Sequence, residues 1–256
     1  MKLIIGNWKM YPRTLAEAKG VFMALKASAK KTKHVTTVIC PPHLFIYPLV
    51  TALGRSSSSS ITVGAQNSFW EDEGARTGET SPKALSLLGA THVILGHSER
   101  RALGETDAMV AQKSIQAVKN KLTVIVCVGE HVRDDAGAYF TEVREQLRHS
   151  LLGFPKTESK RLVVAYEPIW AIGSKAIRPA TPLDFHEMYI LIRRHLVEQF
   201  GKTAGFKVSI LYGGSVDERN ALGFLRDAGA DGLLVGRVSL DAEKFGMIVT
   251  IAESVK

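Results

Sequence analysis

Residues 162–168 read Leu162-Val163-Val164-Ala165-Tyr166-Glu167-Pro168. Five apolar residues in a row, two of them valine, are followed by a carboxylate and then by a proline that lacks a ladder donor. A strand with one wet face alternates polar and apolar residues; an unbroken apolar run predicts a short parallel strand covered on both faces. Its carboxyl end carries an ionisable group. Working outward, runs of the same kind recur at Lys2–Gly6, Val35–Cys40, Ile61–Ala65, His92–Leu95, Thr123–Val128, Lys207–Tyr212 and Gly232–Val235. Helical periodicity fills the intervals, at Thr14–Lys30, Asp107–Asn120, Phe140–Leu152, Leu183–Phe200 and Glu218–Ala228. Eight strand–helix units in series predict an α/β fold, a single (β/α)8 barrel over residues 1–256, more readily than an open sheet. No linker divides the chain, and the serine-rich stretch Ser56–Ser60 reads as a surface loop opposite the functional face.

The bulk properties narrow the functional classes. The chain has 256 residues, 45% of them hydrophobic, enough for a large core, and roughly 250 residues is a normal length for one such barrel. No apolar run approaches the ~18 residues of a membrane span, and the opening strand is too short for a signal-peptide core, so a cytoplasmic protein without a membrane partner is expected. Two cysteines, Cys40 and Cys127, are too few for a disulfide framework and read as buried thiols. The formal charge of +8 is spread along the chain; its densest run, Lys26 to Lys33, lies late in a predicted helix, where cations suit the dipole. That is a solvated basic face rather than a nucleic-acid site, though its field favours an anionic substrate. No cluster of His, Cys or carboxylates has ligand spacing, so neither a metal nor a cofactor is expected.

In a parallel barrel the carboxyl ends of the strands converge on one face. There the sequence puts Asn7-Trp8-Lys9, Gly96-His97-Ser98-Glu99, Val128-Gly129-Glu130, Tyr166-Glu167-Pro168, Tyr212-Gly213-Gly214-Ser215 and Val235-Gly236-Arg237. One lysine, one histidine and one carboxylate from three strands are the parts needed to move a proton between adjacent carbons: a carbon base, an acid that serves two oxygens, and a fixed positive charge. Glu167, His97 and Lys9 fit those parts, and Glu99 is placed to pair with Lys9. Taken singly, each has a plain structural reading: Lys9 as a surface charge, His97 as a core histidine, Glu167 as a helix cap. The glycines after the last two strands let backbone N–H groups approach an anion.

The sequence resembles the triosephosphate isomerase family along essentially its whole length. The resemblance rests on Gly6-Asn7-Trp8-Lys9-Met10, Gly64-Ala65-Gln66-Asn67, Thr77-Gly78-Glu79, Leu95-Gly96-His97-Ser98-Glu99-Arg100-Arg101, Cys127-Val128-Gly129-Glu130, Ala165-Tyr166-Glu167-Pro168-Ile169-Trp170-Ala171-Ile172-Gly173 and Tyr212-Gly213-Gly214-Ser215-Val216. It implies a TIM barrel that isomerises dihydroxyacetone phosphate and glyceraldehyde 3-phosphate. It further implies Glu167 as carbon base, His97 as neutral electrophile and Lys9 as enediolate stabiliser, supported by Asn7 and Glu99. Gly173, Ser215, Gly236 and Arg237 are implied to bind phosphate through main-chain N–H groups, with Leu234 in the same substrate- and phosphate-binding set. Pro168, Trp170 and Ile172 belong to an implied lid running to Ala180. Thr77, Gly78 and Glu79 are implied to reach a second subunit near Asn7 and Glu99, making a homodimer.

Three departures from the family pattern stand out. The stretch Gly173–Ala180 is longer than the usual lid, Arg237 replaces a second glycine, and Arg101–Glu105 is shorter than usual. The longer lid admits a second reading, an isomerase of a four-carbon sugar phosphate. A catalytically idle, nucleic-acid-binding barrel and a metal-dependent barrel are the readings from other classes. Retention of Lys9, His97 and Glu167 argues against the idle barrel, and the missing ligand cluster against the metal enzyme.

Overall fold

The computed structural model describes residues 1–54, 60–173 and 176–255. Positions 56–59 of the serine run and 174–175 of the expected lid lie outside the described residues.

Eight parallel strands close in chain order: β1 (Lys2–Asn7), β2 (Val35–Cys40), β3 (Ile61–Ala65), β4 (His92–Leu95), β5 (Thr123–Val128), β6 (Leu162–Tyr166), β7 (Ser209–Tyr212) and β8 (Gly232–Val235). Closure is made by β8 beside β1, with Leu3 opposite Gly232. A Cβ at position 232 would run into the Leu3 carbonyl, so glycine is what lets the last strand seat there. The apolar runs predicted two covered faces, and the packing divides accordingly. Ile5, Val38, Ile94, Ile125, Val163, Ala165, Leu211 and Leu234 form a small cluster within the barrel. Ile4, Ile39, Val164, Tyr166, Tyr212 and Leu233 join the larger cluster between sheet and helices. Adjacent residues of one strand thus fall in different layers, as the pleat demands.

The helices are α1 (Leu15–Ala29), α2 (Ile46–Leu53), α3 (Pro82–Leu87), α4 (Ser98–Ala102), α5 (Asp107–Lys119), α6 (Ala138–Ser150), α7 (Pro182–Phe200), α8 (Lys202–Gly205) and α9 (Ala242–Ser254). Side-chain caps start most of the long ones: Thr14 accepts the Glu17 N–H, Thr106 the Met109 N–H and Thr181 the Asp184 N–H.

Several boundaries shift from the sequence reading, and three of the shifts have a local reason. β7 starts at Ser209 rather than Lys207 because the Lys207 N–H is still closing a turn onto the Ala204 carbonyl. α6 starts before Phe140, since the Asp134 carboxylate accepts the Ala138 N–H. The expected helix 218–228 opens as a turn capped by Asp217 and winds as a π-helical segment over Gly223–Asp227. The Ala228 N–H reaches back to the Gly223 carbonyl, five residues away.

Cys40 and Cys127 are buried free thiols. Burial raises both, and the neighbouring Glu167 adds to the rise at Cys127. Among the described residues no helix is long and apolar enough to cross a membrane.

Candidate active site

After β1 the backbone turns sharply. Lys9 sits at φ 54°, a left-handed conformation that is strained for a side chain of this kind. Its own neighbours hold it there: the Asn7 Oδ1 accepts the Lys9 N–H at 3.0 Å, and the Gln66 amide donates to the Lys9 carbonyl at 2.7 Å. The same amide donates to the Cys40 carbonyl at 2.9 Å, so one side chain ties the ends of β1 and β2 to β3. The Lys9 ammonium, so placed, lies 2.6 Å from Glu99 Oε1.

Beyond β4, Gly96 at φ 70° turns the chain into α4, whose N-cap is His97. A side chain at 96 would strike the Arg101 guanidinium. The Glu99 N–H donates to His97 Nδ1 at 3.1 Å. A nitrogen that accepts from an amide carries no proton, and this bond therefore assigns the ring's hydrogen to Nε2. His97 Nε2 lies 3.1 Å from Glu167 Oε1, and the Ser98 N–H donates to Glu167 Oε2 at 2.9 Å. The carboxylate is nearly sealed from solvent, its side chain 3% exposed.

Charged side chains hold Gly96 from behind. Glu105 Oε2 accepts its N–H at 3.0 Å, and Arg101 Nε donates to its carbonyl at 2.7 Å. Glu105 is in turn paired with Lys113, whose ammonium also donates to Asn67 Oδ1 at 3.0 Å. Glu105 and Lys113 were not expected as support for the site. A signal existed: in α5, position 113 shares the buried face with Val110, Ala117 and Val118, where a lysine needs a partner.

The segment after Glu167 is anchored before it is free. Trp170, expected in the lid, is buried; its indole N–H donates to Glu130 Oε1 at 2.7 Å, and the Tyr166 hydroxyl donates to the same oxygen at 2.6 Å. Arg178 closes the far end. Its guanidinium lies 4.6 Å from the Trp170 ring centroid and clasps both oxygens of Asp184, at 2.7 and 2.9 Å. That clasp, with two bonds from Thr181, holds the Asp184 carboxyl well below the usual range. A half-exposed pair of this kind contributes about 1 kcal/mol. Arg178→Ala is therefore expected to speed subtilisin cleavage within 171–181 roughly fivefold, measured by limited proteolysis; an unchanged cleavage rate would show that the clasp holds nothing.

Asn7, Lys9, His97, Glu167, Ile172, Gly173, Ser215, Leu234, Gly236 and Arg237 line one cavity of about 900 Å³. Pro168 and Trp170 are not among its lining residues, and Glu99 reaches it through Lys9. The glycines form part of its wall: a Cβ at 213 would lie 3.1 Å from Glu167 Cγ, and one at 236 would lie 3.6 Å from Lys9 Cε. Ser215 Oγ donates to the Ala171 carbonyl at 3.1 Å, joining the β7 loop to the lid's root. Thr77, Gly78 and Glu79 are not part of this cavity; they lie in an exposed loop whose base is closed by the Phe69 N–H on the Thr80 carbonyl. Among the described residues no group of three or more His, Cys, Asp or Glu is placed to hold a metal ion.

A neutral imidazole donor, a carboxylate and an ammonium facing one cavity can polarise a carbonyl, remove an adjacent proton and stabilise the resulting oxyanion. The comparisons agree with that chemistry. The family model for triosephosphate isomerase matches residues 2–252. The triosephosphate isomerase of Moorella thermoacetica is 44% identical over 249 residues, covering 96% of this chain and 97% of its own. That of Carboxydothermus hydrogenoformans is 43% identical over 248 residues, covering 96% of each chain. The crystal structure of triosephosphate isomerase from Bartonella henselae superposes with a TM-score of 0.85 at 33% identity, covering 98% of each chain. With the barrel closed, the site assembled and the match running nearly end to end, the chain belongs to the triosephosphate isomerase family.

Proposed function

We propose that this chain interconverts dihydroxyacetone phosphate and D-glyceraldehyde 3-phosphate through an enediolate, the isomerisation step of glycolysis and gluconeogenesis, with no cofactor. The observation that carries the reading is the meeting of Glu167, His97 and Lys9 on one cavity. Glu167 leaves its seat on the Ser98 N–H and removes the proton from the carbon beside the carbonyl. The His97 Nε2–H polarises the carbonyl oxygen and moves a proton between the two oxygens, while the protonated Glu167 carboxyl, open to exchange with solvent, delivers a proton to the adjacent carbon. Lys9, steadied by Asn7 and Glu99, lies against the developing negative charge. Main-chain N–H groups at Gly173, Ser215, Gly236 and Arg237 receive the phosphate, and Leu234 lines the substrate cavity beside them. The lid rooted at Pro168 and Trp170 brings Ile172 over the substrate and excludes water.

The same reading makes the protein a cytoplasmic homodimer of single-barrel subunits, with Thr77, Gly78 and Glu79 reaching the other subunit near Asn7 and Glu99. Exposed apolar side chains support it. Met10, Leu44 and Leu103 lie in the segments that follow β1, β2 and β4, and each is at least 79% exposed. Large apolar side chains left this exposed are suited to an association surface.

The test is a coupled assay of glyceraldehyde 3-phosphate conversion, with light scattering on the same sample. Rapid turnover by a particle of twice 27.9 kDa is expected. A folded dimer inert toward triose phosphates overturns the activity, and an active monomer overturns the assembly. The four-carbon reading rests on Gly173–Ala180 and Arg237; faster turnover of a tetrulose phosphate than of triose phosphate would favour it.

A further inference from the structure

Arg237 opens the 3-10 turn Arg237–Leu240 directly after Gly236. That turn is fixed from several sides: the Ser239 N–H and Oγ–H donate to the Gly236 carbonyl at 2.9 and 2.6 Å, and the buried Trp8 indole donates to the Ser239 carbonyl at 3.1 Å. The backbone of position 237 is thus held in place, while the residue is exposed and belongs to the cavity lining.

Three arginine or lysine side chains line that cavity: Lys9, Arg219 and Arg237. Lys9 is paired with Glu99, and Arg219 is clasped by the Asp217 carboxylate. Among the described residues no carboxylate lies within ion-pair distance of Arg237. Of the three, it is the one without a carboxylate partner among the described residues. A guanidinium presents parallel donors that match two oxygens of a phosphate, whereas a backbone N–H meets only one. A glycine at 237 offers the backbone donor alone.

From this we infer that the Arg237 guanidinium is a second phosphate-reading group, which closes on the substrate's phosphate beside the main-chain donors and selects the dianionic ester. The inference rests on the proposed isomerase reading for the identity of the substrate, not for the anion chemistry. It makes substrate capture depend on ionic strength, because one more exposed charge is engaged. A charge-assisted bond of this type is worth about tenfold or more in affinity.

The experiment compares the parent with Arg237→Gln and Arg237→Lys. It measures inorganic phosphate binding by isothermal titration and triose phosphate kinetics from low to high salt. In Arg237→Gln, phosphate affinity is expected to fall about tenfold, KM to rise more than kcat falls, and the salt dependence of kcat/KM to flatten; Arg237→Lys recovers part of each. Phosphate affinity and salt dependence equal to the parent's in Arg237→Gln would overturn the inference. So would a parent that binds no phosphate. A parent that binds phosphate through Arg237 yet leaves triose phosphates unchanged would uphold it while sinking the isomerase reading.

Discussion

Glu167→Asp is expected to keep the fold and lose 10²-fold or more in kcat, by roughly the sensitivity of proton transfer to an ångström of displacement. The carboxylate is buried at the end of β6 with its Cγ close against Gly213, and its two oxygens rest on the Ser98 N–H and on His97 Nε2. The glutamate backbone is equally fixed, its N–H donating to the Val128 carbonyl at 2.8 Å. Shortening the side chain by a methylene withdraws the oxygens from both seats, and the main chain cannot follow. The charge stays and the reach goes. Steady-state kinetics with a melting curve on the same sample checks this. A variant within about threefold of the parent would show that no carbon base at this position limits the reaction.

The second large effect is on stability. Lys113 and Glu105 form an ion pair with side chains only 2% and 1% exposed, and Glu105 also carries the Gly96 N–H. Lys113→Met leaves a buried carboxylate without its counter-charge, a loss of about 3–5 kcal/mol. At about 2–4 °C per kcal/mol for a chain of this size, the melting point should fall by roughly 10 °C. The double variant Lys113→Met with Glu105→Gln should recover part of the loss, since it removes the stranded charge. Denaturant unfolding of the three proteins measures it. A single-variant loss below about 1 kcal/mol would mean that water already reaches the pair.

How much of this was legible in the sequence follows from how each feature is encoded. The runs Leu162–Tyr166 and Thr123–Val128 carry their fold in local composition, because a strand covered on both faces needs apolar residues at every position. The site was legible through its strand ends: Lys9, His97 and Glu167 each follow such a run, and the barrel carries the ends to one mouth. The supports were not. Gln66 holds the Lys9 and Cys40 carbonyls across two strands, a pairing with no local signature. The clasp of Arg178 on Asp184 and Trp170 is likewise made only when the lid folds back on α7. Lys113 left a trace, a charge on an apolar face, but its partner Glu105 lies in a loop that periodicity does not reach. At Gly223–Asp227 the pattern gave the helix but not its wider winding, which shows only in backbone bonds reaching back five residues, such as Ala228 N–H to the Gly223 carbonyl.

The central claim is that a side-chain base moves a proton between adjacent carbons through an enediolate. Proton magnetic resonance of dihydroxyacetone phosphate formed from glyceraldehyde 3-phosphate in D2O tests it most directly. A carboxyl group that holds the abstracted hydrogen exchanges it with solvent, so the product should carry deuterium at one of its two C1 hydrogens. Product formed at full rate with no solvent deuterium at C1 would contradict the account, because the hydrogen would then have moved without passing through an exchangeable acid.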